Sequence, residues 1–326
     1  MKRIVLMLCC ILMLVPIACT ASQEQEVPVV RLHEVTRSVF YAPQYVADAL
    51  GFFDEEGIQV EITTSGGSEK AMTALLAGEA DICLAGPETG VYILNEGKAD
   101  HPVIVGQLTK RDGSFLISRE QIDSFSWSDL IGKSVIGGRA GGMPIMTLRY
   151  VMAQNGLNDG ENCTIIDSIQ FNLMAGAFEG GEGDYVTLFE PTATEFQNAQ
   201  KGYIVANIGL ESGEVPYTCY FVTDQMRSAK VVQSFLRAIH RAQIWIQTAT
   251  DQEIAEAMQP YFPDTSLESL MIVAKSYRET DSWKTELTME EADYQRLLDI
   301  MDFNGVLTGM PDFHELVDNE TAANAQ

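Results

Sequence analysis

The sequence predicts an α/β protein of two α/β lobes joined by a two-strand hinge, and three observations predict it. Short β-rich runs alternate with segments of helical period in the order βαβαβ, which implies a mostly parallel sheet covered by helices. The alternation starts afresh at Trp127, so a second sheet is expected. A four-residue echo ties the halves together: Gly78-Glu79-Ala80-Asp81 opens the run Ile82 to Ala85, and Gly181-Glu182-Gly183-Asp184 opens Tyr185 to Leu188. A glutamate beside a proline follows each, Glu88 after Pro87 and Glu190 before Pro191. Open α/β sheets bind ligands at the carboxyl ends of their parallel strands, so both glutamates belong to a candidate site.

In chain order, Val29 to His33 reads as a strand, Pro43 to Ala49 as a helix stopped at Gly51, Ile58 to Thr63 as a strand, and Glu69 to Leu76 as a helix stopped at Gly78. Ile82 to Ala85 and Val103 to Gln107 continue the strands. The second cycle holds a helical turn at Trp127, a turn at Gly132-Lys133, the strand Ser134 to Ile136, a glycine loop, and a helix from Pro144 to Gln154 ending before Gly156. Strands follow at Thr164 to Ile169, Tyr185 to Leu188 and Tyr203 to Asn207. Ser114 to Ser118 and Tyr217 to Thr223 flank this unit and read as the crossing strands of the hinge. From about Ser228 the chain is helical: Val231 to Thr248 is amphipathic, Thr250 with Glu253 and Thr288 with Glu291 fit capping boxes, and Gly305 ends the last strong helix. The polar tail is expected to be disordered over residues 319–326.

Lys2 and Arg3 precede an apolar run from Ile4 to Val15 and then Pro16-Ile17-Ala18-Cys19, the layout of a secretory signal over residues 1–18. No stretch reaches the roughly 18 apolar residues of a membrane helix. Cys19 resembles a bacterial lipoprotein cleavage site in which the cysteine is lipidated, although Pro16 stands where Leu is usual. Residues 19–26 would then tether the body to the lipid. With 21 Lys and Arg against 46 Asp and Glu, a net charge of -25 repels nucleic acid and anionic headgroups. Cys83, Cys163 and Cys219 are an odd three without C-x-x-C spacing, which makes no disulfide framework and leaves two readings, a single disulfide or, in preference, buried thiols. Four histidines, none in an H-E-x-x-H pattern, point to no metal site.

The loop Gly137 to Pro144, GGRAGGMP, is not a nucleotide loop. Met143 and Pro144 stand where a phosphate loop needs Lys and Ser or Thr, and Arg139 stands where the dinucleotide pattern needs its second glycine. Two readings remain: backbone amides at the start of a helix that hold a ligand oxygen, or glycines that only permit a tight turn and close packing.

EVTRSVFYAPQYVADALGFFDEEGIQVEI (34 to 62), GGSEKAMTALLAGEADICLAGPE (66 to 88), DLIGKSVIGG (129 to 138) and GDYVTLFEP (183 to 191) together resemble the substrate-binding lipoproteins of ABC importers. The group resembled handles nitrate, sulfonates and taurine, and also pyrimidine precursors of thiamine. The resemblance implies a type II periplasmic-binding-protein fold, with one lobe of residues 27–115 plus a helical 219–318 and the other of 116–218. It implies an extracytoplasmic, lipid-anchored, monomeric receptor on the periplasmic or outer face of the bacterial cell membrane, which hands its small-molecule ligand to a permease with an ATPase. Neither catalysis nor a cofactor is expected.

By that resemblance the ligand meets Arg37, Phe40 and Tyr41, then Gly66, Gly67 and Ser68, then Glu88 and Arg111, the loop residues Gly138, Arg139, Gly141 and Met143, and finally Glu190 and Tyr217. Phe40 and Tyr41 suit stacking on a flat ligand or filling the lobe core; Arg111 and Arg139 suit an anion or a solvated surface. A sulfonate, taurine or nitrate would want arginines and amides. A thiamine-precursor-like heterocycle would want aromatic faces and carboxylates, and two carboxylates near the cleft favour it. Two rivals stand beside the transport receptor: an enzyme on the same fold using Glu88 and Glu190 as acid and base, and a surface sensor that kept the fold without transport.

Overall fold

The computed structural model describes residues 27–97 and 101–326. The signal segment, Cys19 and the tether lie outside the described residues.

The strands are β1 (Val29–Glu34), β2 (Gln59–Thr64), β3 (Ile82–Ala85), β4 (Pro102–Thr109), β5 (Ser114–Ser118), β6 (Ser134–Ile136), β7 (Thr164–Ile166), β8 (Tyr185–Phe189), β9 (Tyr203–Asn207) and β10 (Thr218–Thr223). They form two five-stranded sheets, ordered β2-β1-β3-β10-β4 and β7-β6-β8-β5-β9. In each, the first three strands run parallel and the fourth is antiparallel to both its neighbours. Each sheet thus takes as its fourth strand one that the chain reaches by crossing from the other lobe. The middle strands β3 and β8 are buried along nearly their whole length, which is why they read as continuous apolar runs.

The Gly-Glu-x-Asp echo has a physical cause. Asp81 accepts a hydrogen bond from the Arg31 amide at 2.9 Å, at the β1–β3 junction, and an ion pair with the Arg31 guanidinium at 2.7 Å adds to it. Asp184 accepts from the Ser134 amide at 2.8 Å, at the β6–β8 junction. In both lobes the aspartate before the third strand pins the neighbouring strand at the residue just before their pairing begins, so the two sheets share a register device as well as an order.

The helical C-terminal part packs on the first lobe. Lys230–Thr248 buries Val232, Phe235, Leu236, Ile239, Ala242 and Ile246 along one face, with Phe235 stacked on Phe53 at 5.3 Å between centroids. Thr250 and Glu253 close the expected capping box. Cys83, Cys163 and Cys219 are free, buried thiols.

Several expectations are corrected. Thr288 and Glu291 form no box, because the helix Glu291–Phe303 starts from Glu290 and the Thr288 hydroxyl turns to Glu286. The strands β5 and β10 lie inside the sheets; residues 110–113 and 208–217 make the crossings instead. The strand at Thr164 stops at Ile166, where Asp167 turns to hold Arg149 at 2.8 Å and its carbonyl accepts from the Ala140 amide. The polar tail is ordered: Asp318 caps the helix Asn319–Ala323, Thr321, Ala322 and Ala325 are buried, and Gln233 donates to the Thr321 carbonyl at 3.2 Å.

Ending the chain at Asp318 therefore exposes part of β4 and the face of the Lys230 helix. The loss expected in urea denaturation is about 1–3 kcal/mol; a change within about 0.5 kcal/mol would mean that the tail does not dock.

Candidate functional site

A cavity of about 210 Å³ opens between the lobes, walled by loops at the carboxyl ends of the parallel strands. The first lobe contributes Val35, Thr36 and Tyr41 after β1, Gly66 to Lys70 after β2, and Gly86 and Glu88 after β3. The second contributes Gly138, Arg139 and Gly142 to Pro144 after β6, Gln170 and Phe171 after β7, and Phe189 at the end of β8. Tyr217 and Thr218 complete the wall at the start of β10.

Glu88 is the chemical centre of this space. It heads the helix Glu88–Asn95 and is 3% exposed, yet its Oε2 has no hydrogen-bond partner among the described residues. Burial pushes its carboxyl up to about 7, while its own amide and that of Met143 pull the other way. The side chain folds back over Gly86: a Cβ at that position would stand 2.6 Å from the carboxyl carbon. Only glycine at 86 leaves room for this conformation.

The glycine loop serves both of its readings. Gly138 and Gly141 have φ of 104° and 84°, which permit the turn, and a Cβ on Gly137 would meet Leu148 at 2.7 Å, so that glycine permits close packing of the helix. That helix, Met143–Gln154, begins one residue earlier than its proline suggests, and Met143 presents its first turn to the cavity. Arg139 reaches across the cleft mouth to Glu69. Ser68 is not the cap of its helix; Gly67 is, and the Ser68 hydroxyl accepts from the Gly86 amide at 3.2 Å.

Five residues stand elsewhere than the sequence suggests. Phe40 is fully buried behind the wall, its ring 5.2 to 5.8 Å from those of Tyr277, Tyr217, Tyr41 and Phe189, so it fills the core between the lobes while Tyr41 takes the cavity face. Arg111 lies in the first crossing beside Glu214 at 3.4 Å and does not line the cavity. Gly141 is turned away, its carbonyl accepting from the Tyr92 hydroxyl at 2.8 Å. Arg37, paired with Glu34 at 3.0 Å, and Glu190 line a neighbouring recess of about 190 Å³ that shares Thr36, Phe171 and Phe189 with the main cavity.

Glu190 differs from Glu88 in the respect that matters. Both its oxygens are occupied, by the Thr194 amide and the Thr194 hydroxyl at 2.9 Å each. Its backbone joins the lobes: the carbonyl accepts from the Ser38 hydroxyl at 3.0 Å and the amide donates to the Tyr277 hydroxyl at 3.1 Å. The echo in sequence therefore marks one carboxyl with an unpartnered oxygen and one with both oxygens engaged. Sequence reasoning missed Lys70, Gln170, Phe171 and Phe189. Phe189 adjoins Glu190 and Lys70 lies in the first turn after Ser68, so both were within reach; nothing local marks Gln170 or Phe171.

A family model described as NMT1/THI5 like matches residues 39–252. The chain belongs to the NMT1/THI5-like family. A relative in Bacillus subtilis, the protein YtlA, provisionally named a binding protein, is 37% identical over 302 residues, covering 92% of this chain and 90% of its own. The fold of this NMT1/THI5-like chain is that of periplasmic binding proteins. The ligand-binding component of an ABC-type import system from Staphylococcus aureus aligns with a TM-score of 0.74 at 13% identity, over 92% of this chain and 99% of its own. The nitrate-binding protein NrtA of Synechocystis PCC 6803 gives 0.73 at 16%, over 92% and 88%. The alkanesulfonate-binding SsuA of Xanthomonas axonopodis pv. citri, bound to MOPS, gives 0.72 at 14%, over 89% and 98%.

The buried carboxyls set a pH dependence. Between the ordinary value of 4.5 and about 7, folded Glu88 keeps a proton that the unfolded chain has lost, and Glu190, also raised to about 7, acts in the same sense. Stability of the ligand-free protein should fall as pH rises through that window and stay low above it. Melting curves from about pH 5 to about pH 8 should show the fall in the wild type and a shallower one in Glu88→Gln; equal slopes would contradict the assignment.

Proposed function

We propose that this chain is the extracytoplasmic solute-binding component of an ABC importer, which captures a small organic molecule between its lobes and presents it to a permease and its ATPase. Membership of the NMT1/THI5-like family and the periplasmic-binding fold support this reading. In it, residues 27–115 and 219–318 form one lobe and 116–218 the other, Cys19 carries the lipid anchor, and the receptor acts as a monomer. The chain is a binding protein, not an enzyme: Glu88 and Glu190 line separate spaces, and Glu190 is fully engaged by Thr194, which argues against an acid and base facing one substrate.

The observation that carries the ligand class is Glu88, whose buried Oε2 has no hydrogen-bond partner among the described residues, on a cavity wall that also holds Tyr41, Phe171, Phe189 and Tyr217. A buried acceptor without a partner favours a ligand that brings an N–H donor, and ring faces favour a flat one. A heterocycle of the thiamine-precursor kind fits both. Nitrate or a sulfonate would bring its charge beside the Glu88 carboxyl, and Arg139, the guanidinium that lines the cavity, pairs with Glu69, which leaves the exposed Lys70 at the rim as the cation unpaired among the described residues.

A thermal-shift screen should give a raised melting temperature with aminopyrimidines and none with nitrate or alkanesulfonates; a ligand at about 100 times its Kd adds roughly 2.7 kcal/mol. Glu88→Gln should weaken the aminopyrimidine at least about tenfold, and Arg111→Ala should leave it unchanged. Stabilisation by the anions, retained in Glu88→Gln, would overturn the ligand class.

A further inference from the structure

The charges that line the cleft do not cancel group by group. Four charged side chains face it: Glu69, Lys70, Glu88 and Arg139. Glu69 and Arg139 pair with each other across the mouth. That leaves Glu88 on the floor, 3% exposed, and Lys70 at the rim, exposed and without an ion-pair partner among the described residues. The Lys70 ammonium lies over the turn that forms the cavity wall, 3.8 Å from where a Cβ on Gly66 would sit. Arginines that would otherwise supply a second positive end are engaged elsewhere, Arg37 with Glu34 and Arg111 with Glu214. A carboxyl at depth and an ammonium at the mouth, neither paired with an opposite charge among the described residues, make a polarised cleft.

We propose that the ligand is dipolar: a flat molecule with an amine or amidine end that meets Glu88 at the floor and an anionic or strongly accepting group at the other end that meets Lys70 at the rim. This rests on the receptor reading above and adds the ligand's second pole and its orientation. The two ends contribute unequally. Glu88 is buried, so a charge-assisted hydrogen bond there anchors the ligand. Lys70 is exposed and screened by salt, so its contact orients the ligand and adds little affinity. A ligand entering with its anion first would meet Glu88 in a low-dielectric space and be rejected.

The test uses three matched probes with the protein: 4-(aminomethyl)benzoate, benzylamine and benzoate, measured by calorimetry. The dipolar probe should bind about fivefold more tightly than benzylamine at low salt, and benzoate should not bind. Lys70→Ala should bring the dipolar probe to the level of benzylamine and leave benzylamine unaffected. Salt at about 0.5 M should do the same. Glu88→Gln should weaken both amines about thirtyfold or more. Benzoate binding as tightly as the dipolar probe, equal losses for both amines in Lys70→Ala, or no binding of the dipolar probe would each overturn the proposal. An aminopyrimidine that binds where the dipolar probe does not would overturn it and leave the receptor reading intact. Failure of all these molecules together would count against both.

Discussion

A carboxyl buried between two lobes, with one oxygen unpartnered, is the constraint on which the arrangement of this cleft depends. Glu88 can sit there only because position 86 has no side chain, and because its own helix and the one beginning at Met143 bring their first amides to it. Those helices belong to different lobes, so closure completes the environment of the charge. The cost of burying an unmet acceptor is carried by the folded protein until a ligand meets it. A binding protein has reason to keep such a group: affinity for the right molecule rises by the interaction that the protein itself lacks.

Closure is held on two sides of the cavity. Toward the crossings, Tyr277 donates to the Gly113 carbonyl at 3.0 Å while receiving the Glu190 amide, and Ser38 reaches the Glu190 carbonyl. At the opposite rim, Tyr92 meets Gly141, and Asn304 donates to the Met146 carbonyl at 3.1 Å, beside an edge-on contact of Tyr150 with Phe303. The first set is buried and joins strand ends to the crossings. The second is small and polar, and a few hydrogen bonds of that kind are worth about 1 kcal/mol each.

Much of the fold was legible because its signals are local. Alternating apolar runs and glycine stops placed the strands and helices, and the repeated aspartate before β3 and β8 marked a register device that is the same in both sheets. Glu88 was legible from its place after a strand. The misread residues depend on partners far along the chain: Arg111 finds Glu214, 103 residues on, and Phe40 and Tyr41 are neighbours that face opposite sides of one wall. Glu190 was misjudged for another reason, because Thr194, only four residues ahead, closes both its oxygens. The tail was judged by its polar composition, although Asp318 and Thr321 have the spacing of a helix cap.

The most direct measurement is a carbon-detected NMR titration of the Glu88 side-chain carboxyl, without ligand and with a saturating N–H donor ligand. A midpoint near neutrality is expected in the free protein, where burial outweighs the amides of Glu88 and Met143, with a clear downward move when a donor meets Oε2. A midpoint near the ordinary glutamate value in both states would show a solvated carboxylate that no ligand touches, and would contradict the account at its centre.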